Sequence, residues 1–149
     1  MLCDKHVVKM GLESVQMLVI PFIQQEVELE SRTQKGSPYK IAHLNHPCSI
    51  WTRISRGNWN WLAVHCVHVF EEYSLRYGKK HYCEAVLREM MSKVSQLKFA
   101  HNPLTPFAKA MPIEYQFEDA VKSYRTYYIK DKSKIAQYAY TKAPVWFKV

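Results

Sequence analysis

Residues 45–62 bring together side chains that water and a protein interior treat in opposite ways. The run holds one His, two Arg, three Trp, two Ser and three Asn. Indole rings are costly to leave in water, whereas guanidinium groups are costly to bury. A surface carrying both suits a ligand that is flat, anionic or both, and nucleic acid is such a ligand. Trp51 or Trp61 would stack on an unpaired or extruded base while Arg53 and Arg56 hold phosphates, with Ser55 and Asn58 between them. The alternative is a partly buried aromatic core, with arginine stems laid along it and their charged ends in water. Taken singly, Trp59 and Trp61 fit either description; the block taken whole reads as a site.

A second constellation lies near the N-terminus: Asp4, Lys5, His6, Lys9 and Glu13. Lys5, Lys9 and Glu13 follow one another at intervals of four and so share a helix face. Neighbouring amines favour each other's neutral form, and a neutral amine can attack an electrophilic sugar carbon while a carboxylate stabilises the resulting cation. His6 or His46 would then shuttle protons. The competing reading is a solvated face laced by a Lys9–Glu13 ion pair, worth about a few tenths of a kcal/mol. Glu13 and His46 are expected in one site facing Arg53, which lies about two helical turns beyond His46. For His46 the rival role is that of a helix cap.

His65, His68 and Glu72 share another helical face, but no close cysteine pair joins them and no standard zinc spacing appears. They read as surface or core imidazoles, and no metal is expected. Glu72 and Arg76, four apart, read as a structural ion pair beside Lys79 and His81. With only 4 glycines and no P-loop, dinucleotide turn or nucleophile elbow, a phosphate-cradling loop is hard to build, and no cofactor is expected.

These groups need a scaffold, and 149 residues suffice for one domain, 1–149, with one core. A hydrophobic content of 48% and a charged content of 23% are ordinary for a globule. The net charge of +8 favours polyanions, with nucleic acid ahead of an anionic membrane surface. No apolar run reaches the ~20 residues of a membrane span, so no membrane partner is expected. Cys3, Cys48, Cys66 and Cys83 form no CxxC pair, and the first residues lack signal-peptide architecture, so the expected compartment is intracellular. Oligomeric state leaves no mark in the sequence.

Periodicity predicts an all-α bundle with long loops and a basic-aromatic tail. Val8, Leu12, Val15 and Val19 form the apolar stripe of a first helix that ends near Pro21. Residues 24–45 read as a polar connection containing Gly36, Ser37 and Pro38. Pro47 suits the first turn of a helix capped by Asn45 or His46. Gly57 and Asn58 interrupt it, and a longer helix runs from about Asn58 to Tyr77, with Gly78 as its left-handed stop. A further helix over 83–99 carries Val86, Leu87, Met90, Val94 and Leu97. After a proline-rich loop, a helix over 118–130 sets Val121, Tyr124 and Tyr128 on one side. The tail from 131 holds Lys142, Trp146 and Lys148.

Several segments taken together resemble a protein family of phages and large DNA viruses. They are residues 3–10 with Leu12-Glu13 and Gln16-Met17-Leu18, the 46–62 block, and Glu72-Tyr73 through Arg76-Tyr77-Gly78-Lys79 to His81. Leu104-Thr105-Pro106-Phe107-Ala108, Ala110-Met111-Pro112 and Ser123-Tyr124-Arg125 with Tyr127-Tyr128 extend the likeness over nearly the whole chain. Members are commonly labelled as similar to pyrimidine-dimer DNA glycosylases of the endonuclease V type. The link to those enzymes rests on an all-helical basic chain, His46-Pro47, and the ending Pro144-Val145-Trp146-Phe147-Lys148.

The resemblance implies DNA binding and glycosylase/lyase action on damaged or modified bases through an amine nucleophile: Lys5, Lys9 or the N-terminal amine. Glu13 would stabilise the cation, and Arg53, Arg56, Lys79, Arg125, Lys142, Trp146 and Lys148 would contact the nucleic acid. Two features depart from the pattern. Leu2 is bulky where such enzymes expose a free α-amine after Met removal, and the chain begins where members usually carry a short preceding segment. Ile54 stands where an acidic residue is expected. The alternatives are a nucleotide- or base-modifying enzyme and a non-catalytic nucleic-acid-binding or virion-associated protein.

Overall fold

The computed structural model describes residues 2–148, and over these the fold is all-α. Its α-helices are α1 (Asp4–Gln24), α2 (Pro47–Ile54), α3 (Arg56–Tyr77), α4 (Glu84–Lys93) and α5 (Ala120–Asp131). Short 3-10 turns span Val94–Gln96, Ile113–Tyr115 and Ser133–Ile135. In place of a sheet, a single parallel bridge pairs Ser55 with His101.

The core lies where α1 crosses α3, with α2 and α4 closing its sides. Val15, Leu18, Val19 and Phe22 meet Trp59, Leu62, Ala63, Cys66 and Phe70, and Leu87 and Met90 of α4 complete the cluster. Close approach depends on Gly11: a Cβ there would stand 2.6 Å from Phe70 Cε1. The Trp59 ring NH donates to the Leu18 carbonyl at 3.0 Å, so the largest buried side chain leaves no polar atom stranded.

Val15 and Val19 of the expected α1 stripe are fully buried and Leu12 packs against the core, but the first turns of the helix depart from it. Val7 is buried and Val8 is 41% exposed, because Asp4 and Val7, not Lys5 and Val8, face α3. Pro21 lies inside α1 rather than ending it. A proline removes one N–H and crowds the preceding turn, but Ile20, Pro21 and Phe22 all bury here, and that burial carries the helix on. The helix stops at Gln24, where the Val27 NH donates to the Phe22 carbonyl at 2.9 Å and the Glu26 NH to that of Ile23 at 3.3 Å. This is a Schellman closure with Glu26 at φ 56°, a left-handed position that glycine usually fills.

By length and composition, α1 is also the one helix among the described residues able to cross a membrane. Its most apolar stretch has mean hydropathy 1.3 although no uninterrupted apolar run is that long, and half of that stretch is buried inside the protein. The core contacts of α1 account for that apolarity.

The break between α2 and α3 falls at Ser55, not at Gly57-Asn58. Ser55 is extended (φ −142°, ψ 142°) and its hydroxyl accepts from the Gly57 NH at 3.1 Å, capping α3. Gly78, at φ 66°, closes α3 in the left-handed conformation, with its NH on the Ser74 carbonyl. The helix expected over 83–99 is shorter, 84–93, and passes into the 3-10 turn, although Leu97 is still buried. Asp119 caps α5 by accepting from the NH groups of Val121 (2.6 Å) and Lys122 (3.1 Å). Val121 faces solvent, and the buried residue of α5 is Ser123.

The tail folds back onto the start of α1 instead of trailing away. The Asp4 NH donates to the Gln137 carbonyl (2.9 Å), and the Ala139 NH donates to Asp4 Oδ2 (2.6 Å). The 24–45 connection is pinned to α4: the backbone NH groups of Glu30 and Ser31 donate to the two carboxylate oxygens of Glu89, at 2.7 and 2.9 Å.

Candidate functional site at the His6 pole

The expected site residues separate into two regions. In the first, α2, the start of α3 and the 101–108 loop hold one another, and the polar groups of the 45–62 block serve that purpose. Trp51 is buried and its ring NH donates to the Pro106 carbonyl at 2.8 Å. Asn58, fully buried, donates to the Trp51 carbonyl (2.8 Å) and to Thr105 Oγ1 (2.8 Å), and its own carbonyl accepts the Thr105 NH (2.8 Å). Ser55, also fully buried, donates to the Pro103 carbonyl. Ser55 and Asn58 therefore offer no polar atom to a phosphate.

The arginines of this block are drawn inward as well. Arg53 donates to the Leu44 carbonyl at 2.6 Å. Arg56 donates to the Leu97 carbonyl at 3.0 Å and covers the Phe99 ring at 5.3 Å. Trp61 keeps 40% exposure, stacked on His65 (centroids 5.2 Å apart, planes 9° apart) and tilted against Phe107 at 4.7 Å. The exposed His46 caps α2, accepting from the Cys48 NH at 3.2 Å. Glu13 pairs instead with Lys9 at 3.0 Å, so the three groups expected to face one another (Glu13, His46, Arg53) bond elsewhere. His65 is taken by Trp61, His68 by Glu71 at 2.9 Å, and Glu72 by Arg76 at 2.5 Å. Among the described residues no set of three or more His, Cys, Asp or Glu side chains is arranged to hold a metal.

The second region is a pole where the first turns of α1, the end of α3, α5 and the tail meet. Its foundation is Asp4, which receives Arg76 Nη1 at 2.9 Å in a nearly dry ion pair and whose carbonyl accepts the Tyr77 hydroxyl at 3.2 Å. Above it, His6 Nδ1 lies 2.8 Å from the Tyr128 hydroxyl, which also accepts the Cys3 NH at 2.9 Å. The two rings meet edge-on with centroids 5.3 Å apart. Burial holds Tyr128 protonated, and its hydroxyl shares this one hydrogen bond with His6 Nδ1. Burial, and then the charges of Lys132 and Lys9, hold the His6 pKa below the ordinary histidine value, against the opposing pull of Glu13.

Trp146 and Phe147 pack against the Tyr128 ring, both at 6.0 Å, and Arg125 lies over Trp146 at 5.5 Å. Lys5, Lys142 and Lys148 are exposed, as is Lys79 just beyond the end of α3, where Tyr77 meets Tyr140 at 5.0 Å. Of the expected residues, then, His6, Lys9, Glu13, Arg125 and Trp146 assemble around α5, with Lys5 and Lys148 beside them. Tyr128, Lys132 and the Asp4–Arg76 pair were missed by sequence reasoning. The spacing of Tyr124 and Tyr128 hinted that α5 presents a tyrosine face, but not that the face meets His6.

A half-open groove of about 260 Å³ lies elsewhere, between the last turns of α1 and the 24–45 connection, floored by Val19, Phe22, Ile23 and Val27. None of the expected site residues lines it.

A neutral imidazole held by a tyrosine, with lysines and their paired carboxylates Glu13 and Asp131 near it, can hold an anion and move a proton beside it. Comparison with protein-family models, with curated proteins and with solved structures found no match to this chain.

Proposed function

We propose that this protein binds nucleic acid, DNA foremost, through the His6 pole. The observation that carries the reading is the convergence of Lys5, Lys9 and Lys132 on one half-buried imidazole, flanked by Arg125 over Trp146. Against these stands Glu13, already paired with Lys9. Polyanion binding neutralises such a cluster and releases the counterions condensed on the phosphates. The net charge of +8 adds long-range attraction.

The test is the salt dependence of affinity for a short duplex and for its single strand. Engagement of about three phosphates gives a slope of roughly −2 to −3 in log K against log salt, a loss of roughly 15- to 65-fold between 50 and 200 mM. Affinity that ignores salt, or no affinity at all, overturns the reading.

The catalytic extension, a glycosylase or lyase acting on damaged or modified bases, draws on one further observation. Lys9 and Glu13 sit as an amine and a carboxylate 3.0 Å apart on the same face of α1 as His6. In such a reaction the amine attacks C1′ of an abasic sugar, water leaves, and the iminium is steadied by the carboxylate. Against it, Lys5 and Lys9 both stand in solvent rather than in a pocket that would seat a sugar, and Lys9 is already paired with Glu13. Borohydride reduction over abasic DNA decides: a covalent adduct lost in Lys9→Ala or Lys5→Ala supports the lyase, and no adduct leaves a binding protein.

A further inference from the structure

We infer that His6 is the phosphate-contacting group of this pole and that it takes up a proton as phosphate binds, so that affinity rises as pH falls. This rests on the nucleic-acid reading above and adds the residue and the coupling. The geometry supplies the reason. Tyr128 occupies Nδ1 at 2.8 Å, which fixes the ring and leaves Nε2 as the nitrogen that an imidazolium would offer to a phosphate. An imidazolium at this place in the ligand-free protein would face Lys5, Lys9 and Lys132, with Glu13 as the opposing charge.

Every other charge packed against the group is already answered. Lys132 pairs with Asp131 at 2.8 Å, Asp4 and Glu72 are taken by Arg76, and Glu13 by Lys9. Around Tyr128 stand two further titratable groups, the Cys3 thiol and the Tyr138 hydroxyl, and the rings of Trp146 and Phe147. With Arg125 over Trp146 counted, the pole sets five cations (Lys5, Lys9, Arg76, Arg125 and Lys132) against four carboxylates that are all already paired, around a neutral ring. A phosphate supplies an unshared anion, reverses the sign of the local field, and makes the charged imidazole the favoured form. A group whose pKa is higher in the complex than in the free protein tightens binding as pH falls between the two values. For one proton the limit is about tenfold per pH unit.

The experiment measures the affinity of the full chain for a fluorescein-labelled single-stranded oligonucleotide from pH 8 to 5.5 at constant ionic strength, in the wild type and in His6→Asn. Asparagine can still accept the Tyr128 O–H but cannot titrate. The wild type is expected to tighten several-fold toward pH 5.5, and H6N to lose that part of the slope while retaining salt-dependent binding. Equal pH slopes in two proteins that both bind overturn the inference and leave the nucleic-acid reading standing. Because H6N could weaken the fold, the wild-type His6 ring proton is also followed by NMR titration. Its midpoint is expected to rise on saturation with the oligonucleotide, and an unmoved midpoint overturns the assignment. If no oligonucleotide binds at any pH, the nucleic-acid reading fails, and the same titration with inorganic phosphate judges His6 alone: a raised midpoint sustains the phosphate site, an unmoved one removes it.

Discussion

At the scale of single residues, the charges that matter most to the fold are those nearest the candidate site. Arg76 has a side chain only 2% exposed and pairs with both Asp4 and Glu72. Removing a buried partner leaves an uncompensated charge, which costs far more than the pair contributes in net terms. Arg76→Met strands two carboxylates, and urea unfolding is expected to register a loss of about 3 to 5 kcal/mol. A smaller effect of opposite sign is expected at Glu26, whose φ of 56° is a left-handed strain that a side chain bears and glycine does not. Glu26→Gly should raise stability by about 0.5 to 1 kcal/mol in the same assay; a loss would mean that the side chain contributes more than the strain costs.

At the scale of elements, two joints hold the loops to the helices. One is the crossing of α3 with the 101–108 loop, where backbone passes over Gly57. A Cβ there would meet Leu104 N at 2.5 Å and the Pro103 carbonyl carbon at 2.7 Å, neither of which can swing aside like a side chain. Gly57→Ala is therefore expected to cost about 1 to 3 kcal/mol by thermal or urea unfolding, with the fluorescence of buried Trp51 and Trp59 reporting the loosened loop. The other joint is Glu89. Burial opposes its charged form, but hydrogen bonds from Lys93, Ser31 and the Glu30 and Ser31 backbone outweigh it and draw the pKa from 4.5 down to about 2. A depressed carboxylate contributes stability that is full above its unfolded value and is lost as pH falls toward the folded one. The 24–45 segment should accordingly stay protected from proteolysis at neutral pH and loosen between about pH 4.5 and 2. Glu89→Gln should be open already at pH 7, and identical cleavage of both proteins there would refute the anchor.

At the scale of the whole molecule, the sequence distance between partners is the notable feature. His6 and Tyr128 are 122 positions apart, and Asp4 and Ala139 135 apart, so the pole exists only once the tail has returned to α1. Its charge excess is then a property of assembly. Reversing Lys5, Lys9 and Lys132 to glutamate together is expected to flatten the salt slope of nucleic-acid binding by about 2 to 3. Lys5 and Lys9 are exposed and Lys132 is partly buried, and the pairs lost with Glu13 and Asp131 lie at the surface, so thermal stability should fall only modestly. An unchanged slope would move the interface to another face, with exposed Trp61 and its neighbours next in line.

Features governed by the helical period were legible in the residue string. The all-α class, the His46 cap, the Gly78 stop and the Lys9–Glu13 and Glu72–Arg76 pairs each depend on side chains within about one turn, whose mutual positions the backbone dictates. In the α1 stripe Val15 and Val19 were legible, whereas Val8 was not, because Val7 and Val8 are equally apolar and only Asp4 meeting Arg76 across the fold selects between them. The 45–62 block was the richest in chemistry by composition. Whether Arg53 and Arg56 reach outward or bond carbonyls depends on where the 94–105 backbone and Leu44 come to rest. The imidazole–tyrosine contact has the same origin. Hydrogen bonds at such separations follow from how buried surfaces fit, which no local pattern specifies, and that is why the best-built part of the candidate site emerged only with the tertiary structure.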